Sequence, residues 1–334
     1  MAPGIRLAPT PTMAPVLLTL VSAILWGLWW MPIRWIEGMG LSGAQASIVC
    51  NAGAALGICG YILIARVRPR VTARTVLGAA LIGAAFASYS VALTLSDVVR
   101  VVLLFYLAPA WGKIIEWAYL GHRWHMISTV TLTLALAGAY LVLGGDMSLA
   151  AINAGDALAL FSGASWAVGA ALVFSDSRAT ASALTLATAI WAMLLSLVFA
   201  WATGEAMPTT ADAPAMVASL ALGAFYLLPV VAISLWGAQR LSPALLSFLF
   251  TLEIVSGVGS GVLLLDEPFG LWRLSGGLLI IGAALIEAVA ALRKATVVAP
   301  DPVAPEHIPP EHIPPEPIKS EPIKSEPIRS EPVQ

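Results

Sequence analysis

Residues 248–261 read FLFTLEIVSGVGSG, a run of apolar and small side chains interrupted by one carboxylate, Glu253. A charge at the centre of a bilayer-spanning helix costs about 2.5–3.5 kcal/mol on insertion scales, so a spanning reading of this run requires that something offset Glu253. The surrounding chain decides the solvent. It is 59% hydrophobic and only 11% charged, with a mean hydropathy of +0.88. Soluble domains run near 45–50% apolar and about 25% charged. This composition excludes a soluble globule.

Runs of about 20 apolar residues, the length that crosses a bilayer, recur along nearly the whole chain. The polar breaks between them predict ten spans, at about 14–34, 42–65, 76–96, 98–120, 124–144, 156–175, 182–203, 214–237, 244–265 and 271–292. Backbone groups in hydrocarbon must be satisfied internally, and these runs lack the period-two alternation of barrel strands. The expected fold class is therefore all-α, a polytopic membrane protein. The first run is too long for a cleaved signal peptide and ends in the Arg-bearing WGLWWMPIRW, so the N-terminus is expected to be retained.

Assigning the connections alternately to two sides gathers Arg6, Arg66, Arg68, Arg70, Arg74, Arg123, Arg178, Arg240, Arg293 and Lys294 on the side of the N-terminus. Arg34, Arg100 and Arg273 fall on the other. Basic residues favour the cytoplasmic side, so both termini are expected there, in a cell's inner membrane. Residues 296–334 are a different polymer, which from Pro305 repeats the five-residue unit PEHIP, PEHIP, PEPIK, SEPIK, SEPIR, SEPVQ. Proline in every unit forbids regular helix, so this tail is expected to be disordered and cytoplasmic.

Reactive residues are sparse. Cys50 and Cys59 fall nine residues apart within one span, which suits two buried thiols. His122 and His125 belong to a basic HRWH connection, and no spacing suggests a metal site. No hydrolase, zincin or phosphate-loop pattern is present, so an enzyme is not expected. Neither a bound cofactor nor a nucleic-acid partner is expected.

The chain also repeats itself. LFYLAPAWGKIIEWAYLGHRW (104–124) aligns with LFTLEIVSGVGSGVLLLDEPF (249–269), setting Leu107 on Leu252, Ala108 on Glu253 and His122 on Glu267. ILWGLWW around Trp26 parallels GASWAVG around Trp166. Ten spans divide into two fives, 14–147 and 148–295, after the short N-terminal segment 1–13. Five crossings is odd, so the second half enters from the opposite side. Such inverted repeats place a substrate site near the midplane, between halves.

The segment 236–286 resembles the second repeat of the drug/metabolite transporter superfamily in its ten-helix EamA-type form. The features that carry the likeness are the AQRLSPA turn, the Leu-Glu centre at Leu252-Glu253, the Asp266-Glu267 corner and the glycine-rich last span. Leu25-Trp26-Gly27, Tyr106-Leu107-Ala108-Pro109 and Gly155-Asp156 extend it to about 14–292. Two positions depart from the pattern: Ile254 stands where the family has proline, and Gly121-His122 where it usually has a glutamate. Tyr106 to Pro109 and Gly144-Gly145-Asp146 are similar to the bacterial aromatic amino-acid exporter branch.

The resemblance implies secondary transport, in the export direction, of small organic metabolites such as aromatic amino acids by alternating access. Trp26, Phe86, Tyr89, Tyr106, Trp111, Trp166, Tyr226 and Phe250 would wall the cavity and Glu253 would face it. Lys113 and Glu116 share a helix face and can neutralise one another; Lys113 is also the candidate counter-charge for Glu253. Pro109 and Pro229 are candidate hinges. Ser256, Gly257, Ser260 and Gly261 form small-residue pairs for close helix packing. Expected partners are a small-molecule substrate and membrane lipid, with the chain a monomer or homodimer. A nucleotide-sugar or phosphate-ester antiporter and a non-transporting membrane scaffold are the rival readings.

Overall fold

The computed structural model describes residues 13–118, 123–143, 152–174, 176, 178–207, 209, 212–241, 243–266 and 270–297. The expectations placed on Gly121, His122, Gly144 to Asp146, Glu267 and the tail beyond Val297 lie outside these residues, while Thr296 and Val297, assigned to the tail, end the last helix. So do those on the side chains of Pro109 and Glu116. The elements are α1 (Met13–Gly27), α2 (Trp30–Gly38), α3 (Gly43–Ile64), α4 (Ala73–Leu95), α5 (Val98–Phe105), α6 (Ala108–Ala118) and α7 (Met126–Val142). They continue with α8 (Ala154–Phe174), α9 (Ala181–Ala202), α10 (Ala213–Leu222), a π-helical turn (Gly223–Leu227), α11 (Leu228–Ala238), α12 (Pro243–Leu265) and α13 (Leu271–Val297).

Among the described residues there is no strand, and nine helical stretches are long and apolar enough to cross a membrane. Helix α7 is the tenth apolar stretch, at 17 residues. Leu56, Leu63, Phe225 and Leu263 stand exposed within these helices, as side chains facing lipid do. The chain is an α-helical, multi-pass membrane protein.

Three spans are discontinuous, and each irregularity precedes a proline. Pro32 has no N–H to give the Leu28 carbonyl, which takes the Met31 N–H instead at 3.0 Å, and the first span divides into α1 and α2. Pro109 likewise leaves the Phe105 carbonyl without its helical donor, and the fourth span divides into α5 and α6. Gly163 of α8 packs against that carbonyl, at a place where a Cβ would fall 2.5 Å from the oxygen. Before Pro229 the chain widens instead of breaking, with Leu228 N–H donating five residues back to the Gly223 carbonyl. Ile254 stands where the fourth span's counterpart has Pro109, and α12 runs unbroken.

Helix α4 packs along α8 and α9, α3 along α9 and along α10 with its π turn, and α7 along α13. Helix α1 packs along α12 and α11, while α5 and α6 lie on α8, and α12 touches α5 and α13. Small residues set the closest approaches. The Gly138 and Gly276 backbones meet where α7 crosses α13, and a Cβ on either would come within 2.5–2.7 Å of the other's carbonyl oxygen. The expected small residues of α12 act likewise: Gly257 abuts Gly27 of α1.

Polar contacts sort the connections between spans into two groups. At one end, Ser42 donates to Glu205, Gln45 donates to the Ala206 carbonyl (2.5 Å), and Arg34 donates to the Ser96 carbonyl (3.2 Å). Arg273 pairs with Asp97 (2.5 Å) and Arg100 with Asp156 (2.6 Å) at this end. At the other end Arg70 and Thr180 exchange bonds, Thr72 donates to Asp176 (2.8 Å), and Gln239 donates to the Ala179 carbonyl (3.1 Å). Odd-numbered connections thus meet odd and even meet even, as successive crossings require.

Candidate functional site

The tryptophans of WGLWW organise the interior. The break at Leu28 and Trp29 turns three indoles toward three different helices, and each N–H meets a serine. Trp26 Nε1–H donates to Ser234 Oγ on α11 (3.0 Å), Trp29 to Ser90 Oγ on α4 (3.0 Å) and Trp30 to Ser260 Oγ on α12 (2.9 Å). A buried indole N–H without an acceptor would cost about 1–3 kcal/mol, so the serines are part of the clamp. Tyr226, in the π turn, donates its hydroxyl to the Leu25 carbonyl just before the break (2.6 Å).

The rings form a continuous chain across four spans. Trp166 of α8 stacks on Phe86 of α4 (5.8 Å between centroids), Phe86 lies 4.6 Å from Trp26, Trp26 meets Trp29 edge-on (6.5 Å), and Trp29 lies 5.6 Å from Tyr226. These distances are those of offset and edge-to-face pairs. A second group joins Tyr89 to Phe105 (5.1 Å) and Phe105 to Tyr106 (5.6 Å).

Glu253 ends this second group. Its side chain is 5% exposed, and among the described residues the partner of its carboxylate is the Tyr106 hydroxyl, which donates to Oε2 at 2.9 Å. The same hydroxyl reaches the Phe250 carbonyl one turn earlier on α12 (2.5 Å). Tyr106 occupies this position because the break before Pro109 frees it from regular helix. A carboxyl in apolar surroundings with one neutral donor is suited to take up a proton or to meet a cationic group.

Most of the expected residues are thereby brought together: Trp26, Phe86, Trp166 and Tyr226 in one aromatic chain, and Tyr89, Tyr106, Phe250 and Glu253 in the other cluster. Trp111 packs against the core with a buried Nε1–H that has no acceptor among the described residues. Lys113 corrects the expectation. Its ammonium lies 3.4 Å from Glu287 of α13, and Tyr106 takes the place beside Glu253 that Lys113 was expected to hold. Pro229 is exposed beside the π turn. Cys50 is buried and both cysteines are free.

Trp29 and Trp30 are site residues that sequence reasoning missed, and so was Glu287, the acid that meets Lys113. Glu287 carried a usable signal, being an acid inside the last apolar run, the same feature that singled out Glu253.

No family model matches the chain, and no curated protein matches it. Among solved structures, one described only as the crystal structure of a protein matches with a TM-score of 0.55 at 17% identity, covering 84% of this chain and 99% of its own. The helical arrangement is therefore one that an experimental structure also adopts, and at this identity the likeness speaks to the fold alone.

Proposed function

We propose that the chain is a secondary carrier of the drug/metabolite transporter type that moves small organic metabolites, aromatic amino acids foremost, by alternating exposure of a site around Glu253. The observation that carries this reading is the buried Glu253 carboxyl, held by Tyr106 at mid-depth beside a chain of aromatic rings contributed by several spans. An isolated carboxyl in such a place costs stability, and its use as a proton or ligand partner gives the reason for the cost.

The pairing of helices supports two oppositely inserted halves. The third span packs on the sixth and seventh as the eighth packs on the first and second. The first packs on the ninth as the sixth packs on the fourth, and the fifth and tenth pair with each other. Shifting every span number by five maps this pattern onto itself. The charge distribution supports cytoplasmic termini. Arg34, Arg100 and Arg273, the three bases at the odd connections, are paired with Glu37, Asp156 and Asp97. The same pairing disfavours a phosphate-ester antiporter, whose ligand would compete with Asp156 for Arg100 and with Glu287 for Lys113.

The test is purified protein in liposomes with a panel of labelled amino acids and phosphorylated metabolites. Saturable counterflow of an aromatic amino acid is expected, and Glu253→Gln should abolish its dependence on pH. Counterflow confined to phosphorylated ligands, or no saturable flux at all, overturns the proposal.

A further inference from the structure

Glu287 is an acid inside the last apolar span, and the description of the Glu253 site leaves it unused. It lies 16 residues beyond Leu271, about 24 Å along α13 and so toward the even-connection end. Thr131 of α7 donates to its Oε1 at 2.6 Å, and Lys113 of α6 lies 3.4 Å from its Oε2. Glu287 and Lys113 are 13% and 27% exposed, so this pair reaches the protein surface where Glu253 does not.

Beside Tyr106 and Glu287 lies a small cavity. A cavity of about 10 Å³ is lined by Tyr106, Thr131, Ala135, Ile280, Ala284 and Glu287 among others. That volume holds one water, provided two to four polar groups receive it. Thr131 and Glu287 bring two polar groups to its otherwise apolar wall, and Tyr106 borders it. Tyr106 therefore touches both compartments: its hydroxyl donates to Glu253 on one side, and its residue borders the cavity that Glu287 closes on the other.

We infer that Tyr106, one water in this cavity and Glu287 form a proton relay between Glu253 and the even-connection end of the protein, with Thr131 and Lys113 as positioning residues. This deepens the carrier reading and rests on it. In the outward step from the buried site, protonated Glu253 gives its proton to the Tyr106 oxygen as Tyr106 gives its own to the water. The water then passes one of its protons to the Glu287 carboxylate. Tyr106 and the water are unchanged in composition, Glu253 has lost one proton and Glu287 has gained one. Glu287 releases it to solution and is again a carboxylate beside the Lys113 ammonium. Among the described residues, the ionisable groups facing Glu253 are Tyr89 and Tyr106, and the charged group facing Glu287 is Lys113.

The experiment is infrared spectroscopy of the full chain in liposomes during a switch from light to heavy water. The carboxyl band of Glu253 is identified by its loss in Glu253→Gln. Glu287→Gln keeps hydrogen bonding but cannot carry a proton, and it should slow deuteration of that band roughly a hundredfold, the low end of what a positioned proton-transfer group contributes. Thr131→Val keeps the side-chain volume and should slow it in the same direction, and Glu287→Asp should restore part of the rate. Wild-type rates in both Glu287→Gln and Thr131→Val overturn the relay, as does the lack of any Glu253 carboxyl band between about pH 5 and 9, the range open to a buried acid. Counterflow of labelled amino acid in the same liposomes reports the carrier reading separately. Its absence would sink that reading and leave the exchange rates standing.

Discussion

Asp156 offers a prediction that can be worked from the structure. It is fully buried at the start of α8, where Oδ1 accepts from Ser96 Oγ at 2.9 Å. Oδ2 accepts from Asn153 N–H at 3.0 Å and meets Arg100 at 2.6 Å. Asn153 Oδ1 returns a bond from Asp156 N–H at 2.8 Å, so the pair caps the helix while Arg100 neutralises it. In Asp156→Asn the amide oxygen can keep the Asn153 and Arg100 contacts and the amide N–H can turn to Ser96, so the change removes charge and little else. Breaking one side of a buried pair costs about 3–5 kcal/mol. Arg100 is 17% exposed and can recover some hydration, which favours the lower end, about 3 kcal/mol or a hundredfold in the folded-to-unfolded ratio. Equilibrium unfolding by dodecyl sulfate in mixed micelles measures this, run on Asp156→Asn, Arg100→Met and the double variant. The double variant should be less destabilised than the two single changes added together. A cost within about 0.5 kcal/mol of wild type, the level of an ordinary surface substitution, would refute the assignment of this pair as a structural tie.

Three further outcomes are expected. Gly276→Leu should cost about 1–3 kcal/mol by overpacking, because its Cβ would meet the Gly138 carbonyl at 2.5 Å; Gly282→Leu, with open space, should be near neutral in the same unfolding assay. Ile254→Pro should cost less than the roughly 3 kcal/mol of an interior proline, because the Phe250 carbonyl it deprives already accepts the Tyr106 hydroxyl; Val262→Pro is the control, and equal costs would contradict this. Asp176 lies in the connection between α8 and α9, and hydrogen bonds from Arg178 and Thr72 hold its carboxyl well below the usual range. A folded value depressed below the unfolded one contributes stability that is present above about pH 4 and is lost as pH falls further toward the folded value. Hydrogen exchange at 176 and 178–180, taken relative to the rate of the unstructured chain at the same pH, should therefore be constant from neutrality down to about pH 4 and rise below it. Arg178→Ala should shift that rise to higher pH.

The spans were legible in the sequence because their cause is the solvent. Hydrocarbon accepts only long runs of side chains that need no water, and the polar residues at 39–42, 66–72 and 203–212 mark where such runs must stop. The fourth and eighth spans carried their irregularities openly in Pro109 and Pro229, since a residue without an N–H disturbs any helix it joins. Pro32 carried the same signal in the first span. Glu253 announced itself too, as a charge where charge is costly.

What the sequence by itself determined, then, was a chain of about ten apolar spans, a multi-pass membrane protein, with an acid in the middle of one of them. Only the tertiary structure decided which groups meet. It gave Glu253 the hydroxyl of Tyr106, sent Lys113 to Glu287, and aimed Trp26, Trp29 and Trp30 at serines on three separate helices. The physical reason is that lipid and protein interior are nearly equally apolar. A helix in water shows its buried face by a stripe of hydrophobic residues, whereas here Leu263 faces outward and Ile254 inward with the same chemistry. Rotation of each helix about its axis is set by close fits such as Gly138 on Gly276 and by single hydrogen bonds, which exist only once the partner helix is in place.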